Sequence, residues 1–153
     1  MNSIADKTMK ELIIMTMYAT DKQSLQKAYD SKADEIIITG KLAKKFKKAS
    51  SLKKVTPAAL ALAGGTIAAL IPTIIAATAT APASAGISYF IAIPAIAAEA
   101  GTVATTLSVS TAEAIGIIML ASSISLTLLI SISKGYDIEI GALGANVKLR
   151  KKN

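Results

Sequence analysis

Two glutamates, Glu99 and Glu113, are the only charged residues between Lys54 and Lys134. A carboxylate within an apolar segment is costly to bury, and such residues commonly line ion pathways or relay protons. If the segment crosses a membrane and several copies form a ring, these two glutamates would make acidic rings at the mouth of a pore. The alternative is that both lie among headgroups or in water, since each is close to the end of a predicted helix.

The remaining carboxylate pairs do not indicate catalysis. Asp34 and Glu35 are adjacent, and Asp137 and Glu139 alternate on one face of a predicted strand. Acid–base chemistry requires such groups to converge with other polar residues in a pocket. The chain contains no His, Cys or Trp, so imidazole chemistry, thiolate chemistry and Cys- or His-based metal sites are excluded. No phosphate-binding or nucleophile motif is present, and we expect no enzyme, cofactor or metal site.

A basic segment over residues 41–54 precedes the apolar block. Leu42, Ala43, Phe46 and Ala49 share one helical face, which predicts an amphipathic helix lying on an anionic leaflet. A solvated helix that packs its apolar stripe on a small sheet is the alternative. Nucleic acid is disfavoured as a partner, because the segment has no arginine and Phe46 is its only aromatic residue. The predicted membrane-surface residues are Lys41, Lys44, Lys45, Lys47, Lys48, Lys53 and Lys54.

The apolar block, residues 55–134, predicts membrane-spanning helices. A Thr56 cap and Pro57 start a charge-free segment, 57–81, that is long enough to cross a bilayer. Residues 111–133, with Glu113 in the first turn, are predicted to form the second span. Residues 83–110 are predicted to be re-entrant or interfacial. An Ala-rich soluble bundle is the alternative, but it would need charged outer faces. Small residues recur every fourth position and predict a helix-packing face, within one chain or between copies: Ala61, Gly65, Ala69, Thr73 and Ala77.

The two ends of the chain predict a small α/β part. Residues 1–54 have the order β-α-β-α, with strands in 11–19 and 34–39 and a helix over 21–32. A parallel strand pair follows from this order, although a hairpin-like arrangement stays open. Residues 135–153 alternate as a β-hairpin, which we expect to join the N-terminal strands in one sheet.

The predicted fold class is therefore a membrane protein. Its core is an α-helical transmembrane hairpin of two spans plus the re-entrant or interfacial middle segment, with a small cytoplasmic α/β part built from both chain ends. Lysines flank the block on both sides, so the positive-inside rule places both termini in the cytoplasm, at a bacterial inner membrane. The start of the chain lacks the pattern of a signal peptide.

Three functions are compatible with this prediction. The first is a small self-associating membrane protein that forms a pore or disrupts the bilayer, as toxins and effectors do, with ion transport as the consequence. The second is a non-conducting membrane scaffold or anchor whose soluble sheet recruits a protein partner. The third is a toxin that hides its apolar hairpin before insertion. In each case the expected partners are the bilayer, anionic lipid headgroups and further copies of the chain.

Overall fold

The two ends of the chain build one sheet, and the apolar block builds most of a helical layer on it. The computed structural model describes residues 14–82, 84, 86–141 and 146–152. Within these ranges it has four strands, β1 (Thr16–Ala19), β2 (Glu35–Ile38), β3 (Tyr136–Ile140) and β4 (Val147–Lys151). The helices are α1 (Lys22–Asp30), α2 (Gly40–Lys48), α3 (Pro57–Leu62), α4 (Gly64–Thr80), α5 (Ile87–Ile91), α6 (Pro94–Leu107), α7 (Thr111–Ile124) and α8 (Leu126–Gly135), with a 3₁₀ turn over Ser50–Lys54.

The sheet has the order β1-β2-β4-β3. β1 and β2 are parallel, whereas β4 lies antiparallel to both β2 and β3. The parallel pair and the C-terminal hairpin predicted from the sequence are confirmed, within the described residues; residues 11–13 of the first predicted strand and the hairpin loop 142–145 lie outside them. Ile36, Ile38, Val147 and Leu149 are buried on one face, because successive side chains of a strand point to opposite sides.

α1 is fixed at both ends. Asp21 caps it through a reciprocal pair of bonds with Ser24, and its carboxylate accepts the Ser24 amide at 2.8 Å; these bonds lower the pKa of Asp21. Leu25 and Ala28 are buried beneath it. Near its far end, the hydroxyl of Tyr136 donates to the Ala33 carbonyl at 2.6 Å, so the α1 crossover is tied to β3.

α7 is the central helix of the molecule. It is apolar on every side, with buried residues that include Ile115, Ile117, Ile118 and Leu120. A helix without a polar face must be covered all round, and α2, the 3₁₀ turn, α4, α5, α6 and α8 all pack against it. The apolar sequence of α7 is thus accounted for by burial within the protein.

The membrane-hairpin fold class predicted from the sequence is wrong. Among the described residues, no single helix is both long and apolar enough to cross a membrane. Only α6 and α7 taken together satisfy the requirements of length and composition, and they meet at 97°. The structure is a mixed α/β fold in which the block 55–134 forms helices over a four-stranded sheet.

The predicted spans fail because each is broken. Residues 57–81 divide into α3 and α4 at Ala63. Residues 111–133 divide into α7 and α8 at Ser125, whose φ of 86° interrupts the helix and whose hydroxyl caps the Leu128 amide at 3.2 Å. The middle segment contains α5 and α6, the latter begun by Pro94 at its first turn. The prediction of a pore-forming, ion-transporting membrane toxin assembled from these spans as a homo-oligomer is therefore wrong as well.

Gly116 allows α7 to approach the end of α2. A Cβ atom at this position would overlap the Lys48 carbonyl, so Gly116→Ala should lower the free energy of unfolding by about 2–3 kcal/mol. Gly101→Ala on α6 is the matched control. Nothing lies within 4 Å of its added Cβ, so it should raise the free energy of unfolding by about 0.5–1 kcal/mol. Denaturant unfolding measures both, and equal effects would contradict the close approach.

Candidate functional site

The basic segment forms α2 and the 3₁₀ turn, with its apolar side turned into the protein. Leu42, Ala43 and Phe46 are buried, and α2 packs on α7 and β4. The side chain of Phe46 is only 1% exposed. The apolar stripe therefore packs against the core and is not available for insertion into a leaflet. This agrees with the alternative interpretation, in which the helix packs its apolar stripe on the sheet.

Burial of that stripe leaves the lysines on the surface. Six of the seven are exposed and Lys47 is half-buried. We call them the lysine patch: Lys41, Lys44, Lys45, Lys47, Lys48, Lys53 and Lys54. Among the described residues none of them makes an ion pair, and the two ion pairs found there join Lys148 to Glu35 and Arg150 to Glu139. No acidic residue occurs in the sequence between Glu35 and Glu99, and Glu113 is the carboxylate whose pKa Lys54 helps to lower. Seven lysines against this one neighbouring carboxylate leave the patch with a net positive field.

An uncharged surface adjoins the lysine patch. Val55 and Thr56 alone separate Lys54 from α3, and the exposed side of α3 and α4 then carries no charge. Leu62 is 81% exposed and Ile75 is 53% exposed. We call this surface the uncharged helical face, defined by Ala61, Leu62, Gly65, Ala69, Thr73 and Ile75.

The predicted helix-packing residues are divided by the structure. Ala61, Gly65 and Ala69 are exposed on the uncharged helical face, whereas Ala77 is buried. No atom lies within 4 Å of the Cβ that could be added at Gly65. The first three residues thus contribute no close helix contact within the described chain, and the fourth belongs to the core.

A groove joins the two surfaces. It lies between α2, α4 and the middle of α7, has a volume of about 440 Å³, and is lined by Lys45, Ile75, Thr78, Ala79, Met119, Ser122 and Ser123. The hydroxyls of Ser122 and Ser123 both donate to the Met119 carbonyl, at 2.7 and 3.1 Å. The groove therefore presents one ammonium group, hydroxyl oxygens with free lone pairs and two large apolar side chains. Sequence reasoning did not join these residues, because they come from three helices and share no spacing.

The two glutamates occupy different environments. Glu99 is exposed on α6 and makes no ion pair in the described part of the chain. Glu113 caps α7: its carboxylate accepts the Ser110 amide at 3.0 Å, and its own amide donates to the Ser110 hydroxyl at 3.1 Å. The Ser110 bonds, with smaller contributions from Lys54 and Ser51, lower the pKa of Glu113. Glu113 thus has a structural role as part of the α7 cap.

The other carboxylates are distributed over the sheet. Asp34 accepts the Met15 amide at 2.9 Å, while Glu35 and Glu139 are held in the ion pairs described above. Over residues 14–82, 84, 86–141 and 146–152, no group of three acidic, His or Cys residues could hold a metal ion. The lysine patch with its neighbouring face and groove is thus the best candidate site.

The cap at Glu113 has a testable pH dependence. Because its folded pKa lies below the ordinary value of 4.5, the ionised cap stabilises the fold above about pH 4.5, and this contribution is lost as the pH falls through the folded pKa. Glu113→Gln should therefore be less stable than the parent at pH 7, and the difference should close below about pH 4.5. Glu99→Gln is the control and should match the parent at pH 7. A Glu113→Gln difference that stayed constant from pH 7 to pH 3 would contradict the ionised cap.

No match to this chain was found among curated proteins or among solved structures. A family model, described as "Uncharacterised protein PM1101", matches residues 18–152. This range includes the lysine patch, all eight helices of the described structure and the whole sheet except the first two residues of β1. The chain belongs to this family.

Proposed function

We propose that this protein attaches to the surface of an anionic bilayer and serves there as a non-conducting anchor, whose sheet recruits a protein partner. The observation that carries the proposal is the lysine patch, seven lysines without ion pairs among the described residues, beside the uncharged helical face. Peripheral attachment requires no spanning helix, so it is compatible with the helical layer found here. The proposed attachment does not include formation of a pore.

Electrostatic attraction supplies most of the expected binding energy. Each lysine close to an anionic leaflet contributes about 1 kcal/mol, and this attraction decays over a Debye length of about 8 Å at physiological salt. The lysines project from α2 and the 3₁₀ turn, which are held by the core, so the charges are presented by a rigid element. The proposed location is the cytoplasmic leaflet of a bacterial inner membrane, because anionic lipids of that leaflet attract clustered lysines.

Lipid is favoured over other polyanions by the neighbouring surface. Leu62 and Ile75 are large apolar side chains exposed to solvent, and Ile75 shares a groove with Lys45. A bilayer interface offers both anionic headgroups and apolar depth to such a combination. A nucleic acid would match the charge but leave the apolar side chains without partners, and no exposed aromatic residue is among those that line the groove.

The experiment is vesicle flotation with the full chain. We expect binding to vesicles that contain phosphatidylglycerol, release as salt rises, and little binding to phosphatidylcholine alone. Changing Lys44, Lys45, Lys47 and Lys48 to Gln should weaken binding by up to about 4 kcal/mol, or roughly three orders of magnitude. The control changes Lys22, Lys27, Lys32 and Lys151 to Gln, which removes the same charge elsewhere on the surface.

Two outcomes would contradict the proposal. Equal binding to neutral and anionic vesicles would exclude the electrostatic role of the lysine patch. An equal loss in the patch variant and its control would mean that net charge, rather than this surface, determines binding. If the uncharged helical face instead holds a second copy of the chain, Gly65→Leu will reduce the size of the particle in solution while vesicle binding stays weak.

A further inference from the structure

The outer edge of β3 has unpaired backbone groups. In the described residues β3 is the last strand of the sheet, with β4 as its one neighbour. The Lys152 amide donates to the Gly135 carbonyl at 2.9 Å, and the Gly141 amide donates to the Asn146 carbonyl at 3.2 Å. Hydrogen-bonded pairs recur every second residue in an antiparallel ladder. Ile138 and Ile140, which lie between those pairs, therefore direct their N–H and C=O groups away from β4.

This edge has only part of the usual protection against strand pairing. Natural edge strands carry charged side chains, especially Lys, or Pro or a bulge. Tyr136–Ile140 has two carboxylates on one face but no Lys or Pro, and its register with β4 is continuous over five pairs. The 3₁₀ turn lies beside the first half of β3, where Leu52 and Lys53 share a small cleft with Tyr136, Asp137 and Ile138. The open part of the edge therefore runs from Ile138, at the rim of this cleft, to Ile140, and these two residues offer two donors and two acceptors.

The side chains at the edge specify what a new strand must carry. Ile138 and Ile140 are half-buried and pack against the core, so an added strand would extend that apolar layer with apolar residues beside them. On the opposite face are Asp137 and Glu139. Arg150 lies 3.4 Å from Glu139, whereas Asp137 makes no ion pair within the described residues. Cations on an added strand would complement both carboxylates.

A second copy of β3 is a poor partner because of the two carboxylates on this strand. Antiparallel pairing of two copies around Ile138 brings Asp137 of one copy opposite Glu139 of the other, twice. Like charges directly opposite one another destabilise a strand pair. The charges on this edge therefore oppose self-pairing and favour a different sequence.

We propose that the outer edge of β3 binds an extended segment of a partner protein in which apolar residues alternate with Lys or Arg. Strand addition of this kind uses main-chain hydrogen bonds for affinity and alternate side chains for specificity. This inference rests on the proposed anchoring function in one respect: the bound segment would belong to the partner that the anchor recruits. Binding itself does not need lipid, because the edge lies outside the lysine patch.

The test is an NMR titration of the full chain, without lipid, with two capped five-residue peptides. One alternates Lys with Val, and the other alternates Glu with Val. We expect the Lys–Val peptide to shift the amide resonances of Ile138 and Ile140 and to slow their hydrogen exchange, even if the dissociation constant is millimolar. The Glu–Val peptide should bind about twofold to thirtyfold more weakly, the range expected from two cross-strand charge pairs.

A charge swap distinguishes this edge from general attraction. The double variant Asp137→Lys with Glu139→Lys should bind the Glu–Val peptide more tightly than the Lys–Val peptide. A variant whose hairpin had unfolded could not gain affinity for the Glu–Val peptide at this edge. The control, Asp30→Lys with Glu99→Lys, makes the same change of charge at two exposed carboxylates outside the sheet and should keep the preference for Lys–Val. Shifts confined to other residues, equal binding of both peptides, or Ile138 and Ile140 amides already protected in the free protein would each overturn the proposal. Because no lipid is present, its failure leaves the vesicle result unaffected.

Discussion

The fold depends on burial of α7 around most of its circumference. This helix has apolar residues around its whole circumference, so any arrangement that left one side in water would lose several fully buried side chains, each worth about 1.5–3 kcal/mol. Its neighbours supply the cover, and Gly116 lets the α7 backbone reach the carbonyl of Lys48. The same contact holds α2 in place. The lysines project outward because Leu42 and Phe46 on the other side of α2 belong to the core around α7.

Local patterns in the sequence predicted the sheet well, and composition predicted the helical layer badly. Alternation identified β3 and β4, and the order of elements predicted that β1 and β2 are parallel. The error lies in residues 55–134, where the lack of charge predicts contact with lipid. A helical layer usually has charged outer faces, but the exposed side of α4 instead carries mostly Ala, Thr and Gly. The break at Ala63 is followed directly by Gly64 and Gly65, a pair that commonly interrupts helices, whereas no Gly or Pro adjoins the break at Ser125. Periodicity alone therefore could not show that each apolar run is two helices.

The candidate site was predictable in its charges but not in its geometry. The seven lysines are evident from the sequence, and their amphipathic spacing correctly placed Leu42 and Phe46 on a common face. What covers that face depends on tertiary packing, and here it is α7 and β4 rather than lipid. The groove beside Lys45 joins residues of three helices, which no local pattern can bring together. The edge of β3 was visible as an alternating strand, but its open side follows only from the strand order.

The central claim is that the apolar block is the inner layer of one α/β fold, with α4 exposed on one side and buried on the other. The chain has no native Cys, so single-cysteine variants report each position separately. With the protein in buffer free of lipid and detergent, cysteines at Ala68 and Thr73, which are exposed, should react rapidly with a polar maleimide. Cysteines at Ile67 and Ile74, which are buried, should react only on unfolding. Slow labelling at all four positions would contradict the account, since it would mean that α4 is enclosed on every side.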